Sequence, residues 1–191
     1  MATDTRDTIL QVARRLFVQQ GYTATSMRQV AEEAGIGKAT IYHHFPDKQT
    51  IVMAILEKNI GQMDEALKIV QAEADPHRRI QVAAEISIGF LFESADIQQI
   101  VRREVPAGRD RIQSGFVAFL KEYMALLADA IQRGIEQGIF RPVDPKRAAR
   151  VFMTMIQGTF ANVYITGDRS WSPAEAAAAL LDTYFHGIDV R

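Results

Sequence analysis

TSMRQVAEEAGIGKATIYHHF, Thr25 to Phe45, is the stretch whose reading decides the fold. It opens with two residues able to cap a helix, Thr25 and Ser26. Met27, Val30, Ala31 and Ala34 follow at three- and four-residue spacing, so a helix with one buried stripe is predicted over about 26–34. Gly35 then permits the left-handed backbone of a sharp turn. A very short helix is predicted over about 38–45, with only Ile41 and Phe45 turned inward and Pro46 ending it. Helix, tight glycine turn and short helix make the helix-turn-helix arrangement, whose second helix enters a DNA major groove.

The outer surface of that short helix carries Lys38, Ala39, Thr40, Tyr42 and His43. Donors and an aromatic suit phosphates and base edges, and a small residue allows close approach. Lys48, in the first turn of the next helix, adds a cation beside this surface. The competing reading of the same residues is a structural hairpin with a solvated polar face. Charge does not decide between them. Residues 1–50 hold six Lys and Arg against five Asp and Glu, and residues 51–191 hold sixteen against eighteen. Placement of the cations matters more than their sum.

Outward from this stretch the apolar period stays helical. Helices are predicted over about 5–20, 47–73, 76–93, 96–104, 109–137, 145–166 and 173–186. All six prolines fall between these patterns. The helix beginning near Asp47 has Ile51, Val52, Ile55, Leu56, Ile60, Met63, Leu67 and Val70 as its apolar positions. At ~1.5 Å per residue it spans ~40 Å. The expected architecture is therefore all-α, with no strand.

Composition sets the outer limits. The chain has 191 residues, 48% hydrophobic and 24% charged, with a formal charge of −1. That fits a folded globular protein and excludes a bulk-basic nucleic-acid binder, though not a local basic patch. Cysteine is absent, so there is no disulfide, thiolate metal site or cysteine nucleophile. No signal peptide or membrane span is read, and a cytoplasmic location is expected. AGIGKAT is a poor phosphate loop, because its first glycine falls at Glu32 and Ala39 replaces the Ser/Thr. There is no G-x-S-x-G, and the four histidines lack zinc-helix spacing. Neither a cofactor, a metal nor an enzymatic activity is expected.

The stretch Ile9 to Leu56, ILQVARRLFVQQGYTATSMRQVAEEAGIGKATIYHHFPDKQTIVMAIL, resembles the DNA-binding domain of the TetR family of bacterial repressors. The likeness lies in the Leu-Phe…Gly-Tyr…Thr junction, the Ala-Gly turn, the Ile-Tyr-His-His-Phe helix and the Pro-x-Lys entry into the fourth helix. The resemblance implies an all-helical bacterial homodimer with an N-terminal three-helix reader, 1–47, and a C-terminal effector-binding and dimerisation region, 48–191. It also implies a ligand-responsive repressor on a palindromic operator. Thr25 or Ser26, Arg28, Thr40, Tyr42, His44 and Lys48 match positions that contact phosphates and face the groove. Lys38, Ala39 and His43 match positions that vary with operator sequence. The C-terminal part resembles no single subfamily.

Two expectations concern that C-terminal part. A two-chain helical bundle is expected through helices 145–166 and 173–186, from Phe152, Ile156, Phe160, Val163 and Tyr164 beside Ala177, Leu180, Leu181, Tyr184 and Phe185. A small, largely apolar effector is expected against Leu56, Ile60, Met63, Phe90, Ile100, Phe116, Tyr123, Met124 and Met153. Arg102, Arg103, Glu104 and Asn162 would anchor its polar part. The alternatives are a same-fold DNA-binding protein controlled by a protein partner or lacking an inducer, and a helical-bundle enzyme that borrowed the hairpin.

Overall fold

The computed structural model describes residues 4–166 and 170–188, except for the side chains of 98–99, 101–104, 106–113, 115–116, 160 and 162–166. Among the described residues there are eight helices and no strand: α1 Thr5–Gln20, α2 Met27–Glu33, α3 Lys38–His44, α4 Lys48–Ala72, α5 Pro76–Glu104, α6 Pro106–Glu136, α7 Pro145–Thr166 and α8 Pro173–Ile188.

Local chemistry explains the starts. Four helices begin at proline, whose missing N–H costs nothing in the first turn. Acceptors just before three of those prolines take up amides the helix leaves unpaired. Asp75 accepts from Arg78 N at 2.7 Å, Asp144 from Arg147 N at 2.9 Å, and Ser172 from Glu175 N at 3.3 Å. The Glu175 carboxylate returns the bond to Ser172 N at 2.8 Å, completing a capping box, and this bond lowers its pKa. Asp47 caps α4 through Thr50 N at 2.7 Å, which likewise lowers the Asp47 pKa.

One prediction is corrected. Segments 76–93 and 96–104 are one helix, α5. Nothing between them breaks a helix: Ser94 and Ala95 are buried within it, and Ile97 continues the apolar stripe. The interruption comes at Val105, one residue before Pro106, so α6 starts three residues earlier than predicted.

The chain divides into two compact units: residues 1–62 with 94–116, and 63–93 with 117–191. Helices α4, α5 and α6 contribute to both. In the first unit, Ile9, Ala13 and Phe17 of α1 pack with Val30 of α2, Ile41 of α3, Phe45, and Ile51, Val52 and Ile55 of α4; Ile97 and Val105 join the same core.

In the second unit, Val70, Ile80, Ile88, Tyr123, Leu127, Phe140, Phe152 and Tyr184 share one core. The Phe140 ring lies where a Cβ on Gly134 would stand, so α6 can pass it only with glycine there. Arg79, 4% exposed, donates to Glu73 O at 2.6 Å and Gln71 O at 3.3 Å and pairs with Asp129 at 2.9 Å. Its guanidinium thus closes the end of α4 and ties it to α6. Arg141 closes α8 similarly, with its N–H on Ile188 O at 2.8 Å and its Nε on Gly187 O at 2.6 Å.

This core overturns the residue assignment of the expected two-chain seam. Phe152, Ile156, Ala177, Leu180, Leu181, Tyr184 and Phe185 are buried inside their own chain. An apolar stripe requires a cover, and here α5, α6 and Phe140 help supply it. Phe160, Val163 and Tyr164 lie outside the described side chains. Val151, 55% exposed, and the exposed Ala174 and Ala178 remain on the outer faces of α7 and α8.

Candidate nucleic-acid interface

The interface is built on α2, its turn and α3, all in the first unit. Ser26 caps α2, accepting from Gln29 N at 3.1 Å, while the Gln29 side chain accepts from Ser26 N at 2.8 Å. The helix then ends in a Schellman turn: Ile36 N donates to Ala31 O at 3.0 Å and Gly35 N to Glu32 O at 3.1 Å. Gly35 sits at φ +66°, as the sequence requires. Ile41 and Phe45 are buried and pin α3, so Lys38, Ala39, Thr40, Tyr42 and His43 are exposed and His44 half-exposed. Ser26 and Arg28 are exposed as well.

An open cleft of about 430 Å³ gathers Thr25, Ser26, Arg28, Lys38, Tyr42 and Lys48 on one surface, with Thr23, Ala24 and Met27 beside them. Six residues singled out from the sequence therefore line one concavity. Thr23 and Ala24 were not singled out; their signal was an exposed loop directly before a helix cap.

Two of the six serve differently from expectation. Thr25 is 1% exposed, its hydroxyl donating to Gly21 O at 2.8 Å and accepting from Gln20 Nε2 at 3.2 Å. It is corrected from a DNA-facing residue to a bolt of the α1–α2 loop. Lys48 is half-buried, its ammonium donating to Tyr22 O at 2.7 Å and Thr23 O at 3.3 Å and lying 4.5 Å over the Tyr22 ring. It clamps the loop to α4.

The other cations differ in commitment. Arg28 pairs with Glu32 at 2.7 Å in an exposed i,i+4 bridge, and Arg15 pairs with Glu33 at 2.6 Å across α1 and α2. Both are surface pairs of small net worth, so a phosphate can displace the partner at little cost. Lys38 has no hydrogen-bond or ion-pair partner among the described residues. The geometry is that of a helix-turn-helix DNA-binding protein: a capped hairpin, a short helix with its polar side outward, and donors around an open cleft.

Comparison with known proteins agrees. The family described as bacterial regulatory proteins, tetR family, matches residues 9–55, and the tetracyclin repressor-like C-terminal domain matches 73–188. The HTH-type transcriptional regulator YvkB of Bacillus subtilis is 30% identical over 165 residues, 86% of each chain. A transcriptional regulator from Saccharomonospora viridis, solved in complex with choline, is 27% identical with TM-score 0.74, covering 97% of this chain and 98% of that one. AibR, solved with isovaleryl coenzyme A and operator DNA, is 25% identical with TM-score 0.62, covering 94% and 97%. The chain belongs to the TetR family and is a DNA-binding transcription regulator.

The expected effector walls are divided between the units. Leu56, Ile60 and Ile100 belong to the first, and Met63, Phe90, Tyr123, Met124 and Met153 to the second. Leu56 is a core residue at 2% exposure, whereas Ile60 is only half-buried. The buried position beside it is Asn59, at 9% exposure, a polar residue that the apolar pattern passed over. Tyr123 is fully buried; its hydroxyl donates to Ala83 O at 2.7 Å and bonds Ser87 Oγ at 2.6 Å, and burial pushes its pKa up. The side chains of Phe116, Asn162, Arg102, Arg103 and Glu104 lie outside the described residues. No described helix is long and apolar enough to cross a membrane.

Proposed function

We propose that this regulator is a repressor acting as a homodimer on a pseudo-palindromic operator, and that a small, largely apolar effector releases it. Residues 1–47 read DNA, and 48–191 bind the effector and dimerise. The observation that carries the reading is the cleft that joins Ser26, Arg28, Lys38, Tyr42 and Lys48 at the exposed side of α3. Ser26 and Arg28 serve the backbone, with Lys48 holding the loop beside them; Lys38, Ala39 and His43 meet base edges. Thr40, Tyr42 and His44 complete the face.

A two-fold dimer presents two such helices to half-sites about one helical turn apart, ~34–36 Å, or a multiple of it. Release requires tighter effector binding to the DNA-incompetent arrangement, and a coupling of ~1–3 kcal/mol lowers operator affinity about 5–150-fold. The family supports small-molecule control, since one relative was solved with choline and another with isovaleryl coenzyme A.

The test is selection of duplexes from a random 24-bp pool, followed by anisotropy and sedimentation of the complex. The expected result is inverted half-sites, two chains per site and release by at least one compound from a fatty-acid, aromatic and terpenoid panel. A selected duplex without two-fold repetition, bound by one chain, overturns the dimeric reading. A palindrome that no small molecule releases overturns the effector and leaves control by a protein partner.

A further inference from the structure

Beyond the residues that line the cleft, α3 carries two adjacent imidazoles in its last turn, His43 exposed and His44 half-exposed. Their ring centroids lie 5.6 Å apart and their planes 71° apart, edge to face. Apart from this contact neither ring has a hydrogen-bond or ion-pair partner among the described residues. Charged groups on the elements packed against α3 are committed elsewhere. On α1, Asp4 caps its helix, Arg6 lies 5.3 Å over the Phe45 ring, and Asp7 pairs with Lys58 of α4. On α2, Arg28 pairs with Glu32, and Glu33 with Arg15 of α1. On α4, Asp47 caps its helix and Lys48 bonds the loop carbonyls. Lys38 and the Tyr42 phenol share α3 itself. The free protein thus gives a charge on His43 no carboxylate to hold it. The other two histidines belong to the second unit, His77 stacked on Phe185 at 3.7 Å and His186 bonded to Asp182 O at 2.6 Å.

Histidine is the side chain whose charge changes between about pH 5 and 8. Neutral, it has one donor and one acceptor; charged, both nitrogens donate. In the major groove guanine presents two acceptors, N7 and O6, whereas adenine sets a donor beside its acceptor. We propose that His43 reads a guanine as the imidazolium, so that operator binding takes up one proton per half-site. The proposal rests on the base-facing placement of His43 in the reading above. The phosphates that flank the groove favour the same charge. A second proton on His44, one ring away, meets like-charge repulsion, so each pair takes up one and not two. The complex holds the proton more tightly than the free protein does. Affinity is therefore highest at low pH and falls as pH rises through the range in which the bound imidazole gives up its proton.

The experiment follows anisotropy of the selected duplex from pH 5.5 to 8.5 at one salt concentration, with full-length wild type, His43→Gln, His43→Ala and His44→Gln. Wild-type affinity is expected to fall about five- to tenfold per half-site across that range, and by the square of that on a duplex carrying two, as a proton held about ten times more tightly in the complex requires. His44→Gln should keep the fall and both His43 variants should abolish it. Guanines replaced one at a time by 7-deazaguanine, which lacks the N7 acceptor, should flatten the wild-type profile at one position of each half-site. A wild-type profile flat in pH, a fall that survives in both His43 variants, a fall lost in His44→Gln, or one indifferent to every 7-deazaguanine overturns the proposal. If both His43 variants weaken binding equally at every pH, only the proton fails. If they leave affinity and selected sequence unchanged throughout, the base-facing reading of His43 fails with it.

Discussion

Lys48→Met tests whether the reader is held together by the residue expected to touch DNA. Methionine keeps the apolar stem and about the same helix propensity, so α4 should start unchanged. The substitution removes the ammonium that bonds Tyr22 O at 2.7 Å and Thr23 O at 3.3 Å and sits 4.5 Å over the Tyr22 ring. Hydrogen bonds from a charged donor contribute about 1.5–3 kcal/mol when buried; half-exposure here roughly halves that. A cation–π contact near the surface adds about 0.5–1 kcal/mol. The expected loss is therefore ~1–2.5 kcal/mol, a midpoint lower by about 3–8 °C. Affinity for every duplex should fall with it, since the loosened loop carries the Ser26 cap and the cleft wall.

Lys38→Met is the control. Lys38 has no partner among the described residues, so its midpoint should stay within about 1 °C while affinity for the selected duplex falls by about 1–3 kcal/mol and discrimination between duplexes relaxes. Circular dichroism melts and anisotropy on a 24-bp duplex between 50 and 200 mM salt read both. A Lys48→Met protein that melts like the wild type would refute the clamp, whatever its DNA affinity.

Three further substitutions separate causes that look alike in sequence. Gly134→Ala should destabilise by about 1–3 kcal/mol, because the new Cβ would overlap the buried Phe140 ring, whereas Gly89→Ala, with nothing within 4 Å, should stabilise by about 0.5–1 kcal/mol; equal melts would sink the packing argument. Tyr184→Phe should be neutral or stabilising, because its buried hydroxyl has no partner among the described residues, while Tyr123→Phe should cost about 1–2 kcal/mol by removing the buried bonds to Ala83 O and Ser87 Oγ; the reverse order in a urea titration would contradict the assignment. Asp47→Ala should cost about 1 kcal/mol at neutral pH. The folded-state pKa of Asp47 is depressed, so the wild-type advantage is full above the usual carboxylate range and fades as pH falls through the lowered value; a difference that persists at pH 2 would point to something other than the cap.

The reader was legible because its geometry leaves few choices. A glycine at the turn, one inward residue on a seven-residue helix, a second directly after it and then a proline force Lys38, Ala39, Thr40, Tyr42 and His43 outward. What escaped reading was the difference between a polar residue that faces water and one that faces the backbone. Thr25 and Lys48 are polar residues beside a basic surface, yet their donors end on the carbonyls of residues 21–23. Those bonds depend on a loop conformation that no spacing encodes. The break expected near Ser94 had no breaker behind it. In α7 and α8 the stripe was read correctly as covered, but periodicity does not say which chain supplies the cover. Asn59 fits the 55–59–63 spacing of α4; only its chemistry kept it out of the stripe.

The near-neutral charge of the reader takes on a different meaning once each cation's partner is known. Of the cations in residues 1–50, Arg15 and Arg28 are engaged by acids, Lys48 by carbonyls and Arg6 by the Phe45 ring at 5.3 Å, while Lys38, at the start of α3, has no partner among the described residues. The pairs differ in exposure: the Arg28 and Glu32 side chains are 84% and 59% exposed, those of Arg15 and Glu33 about half. An exposed pair holds its arginine loosely, and a phosphate offers the same charge with better bidentate geometry. Arg28 can therefore exchange Glu32 for DNA without leaving a buried charge behind. Lys48 cannot make the same exchange without releasing the loop that shapes the cleft. In the proposed reading, affinity for any duplex rests on few phosphate-facing cations, Arg28 foremost, which weakens generic attraction to phosphate and leaves more of the discrimination to positions 38, 39 and 43. The proposed release by a small molecule would be served by that balance, because a coupling of only ~1–3 kcal/mol has to outweigh the DNA contacts.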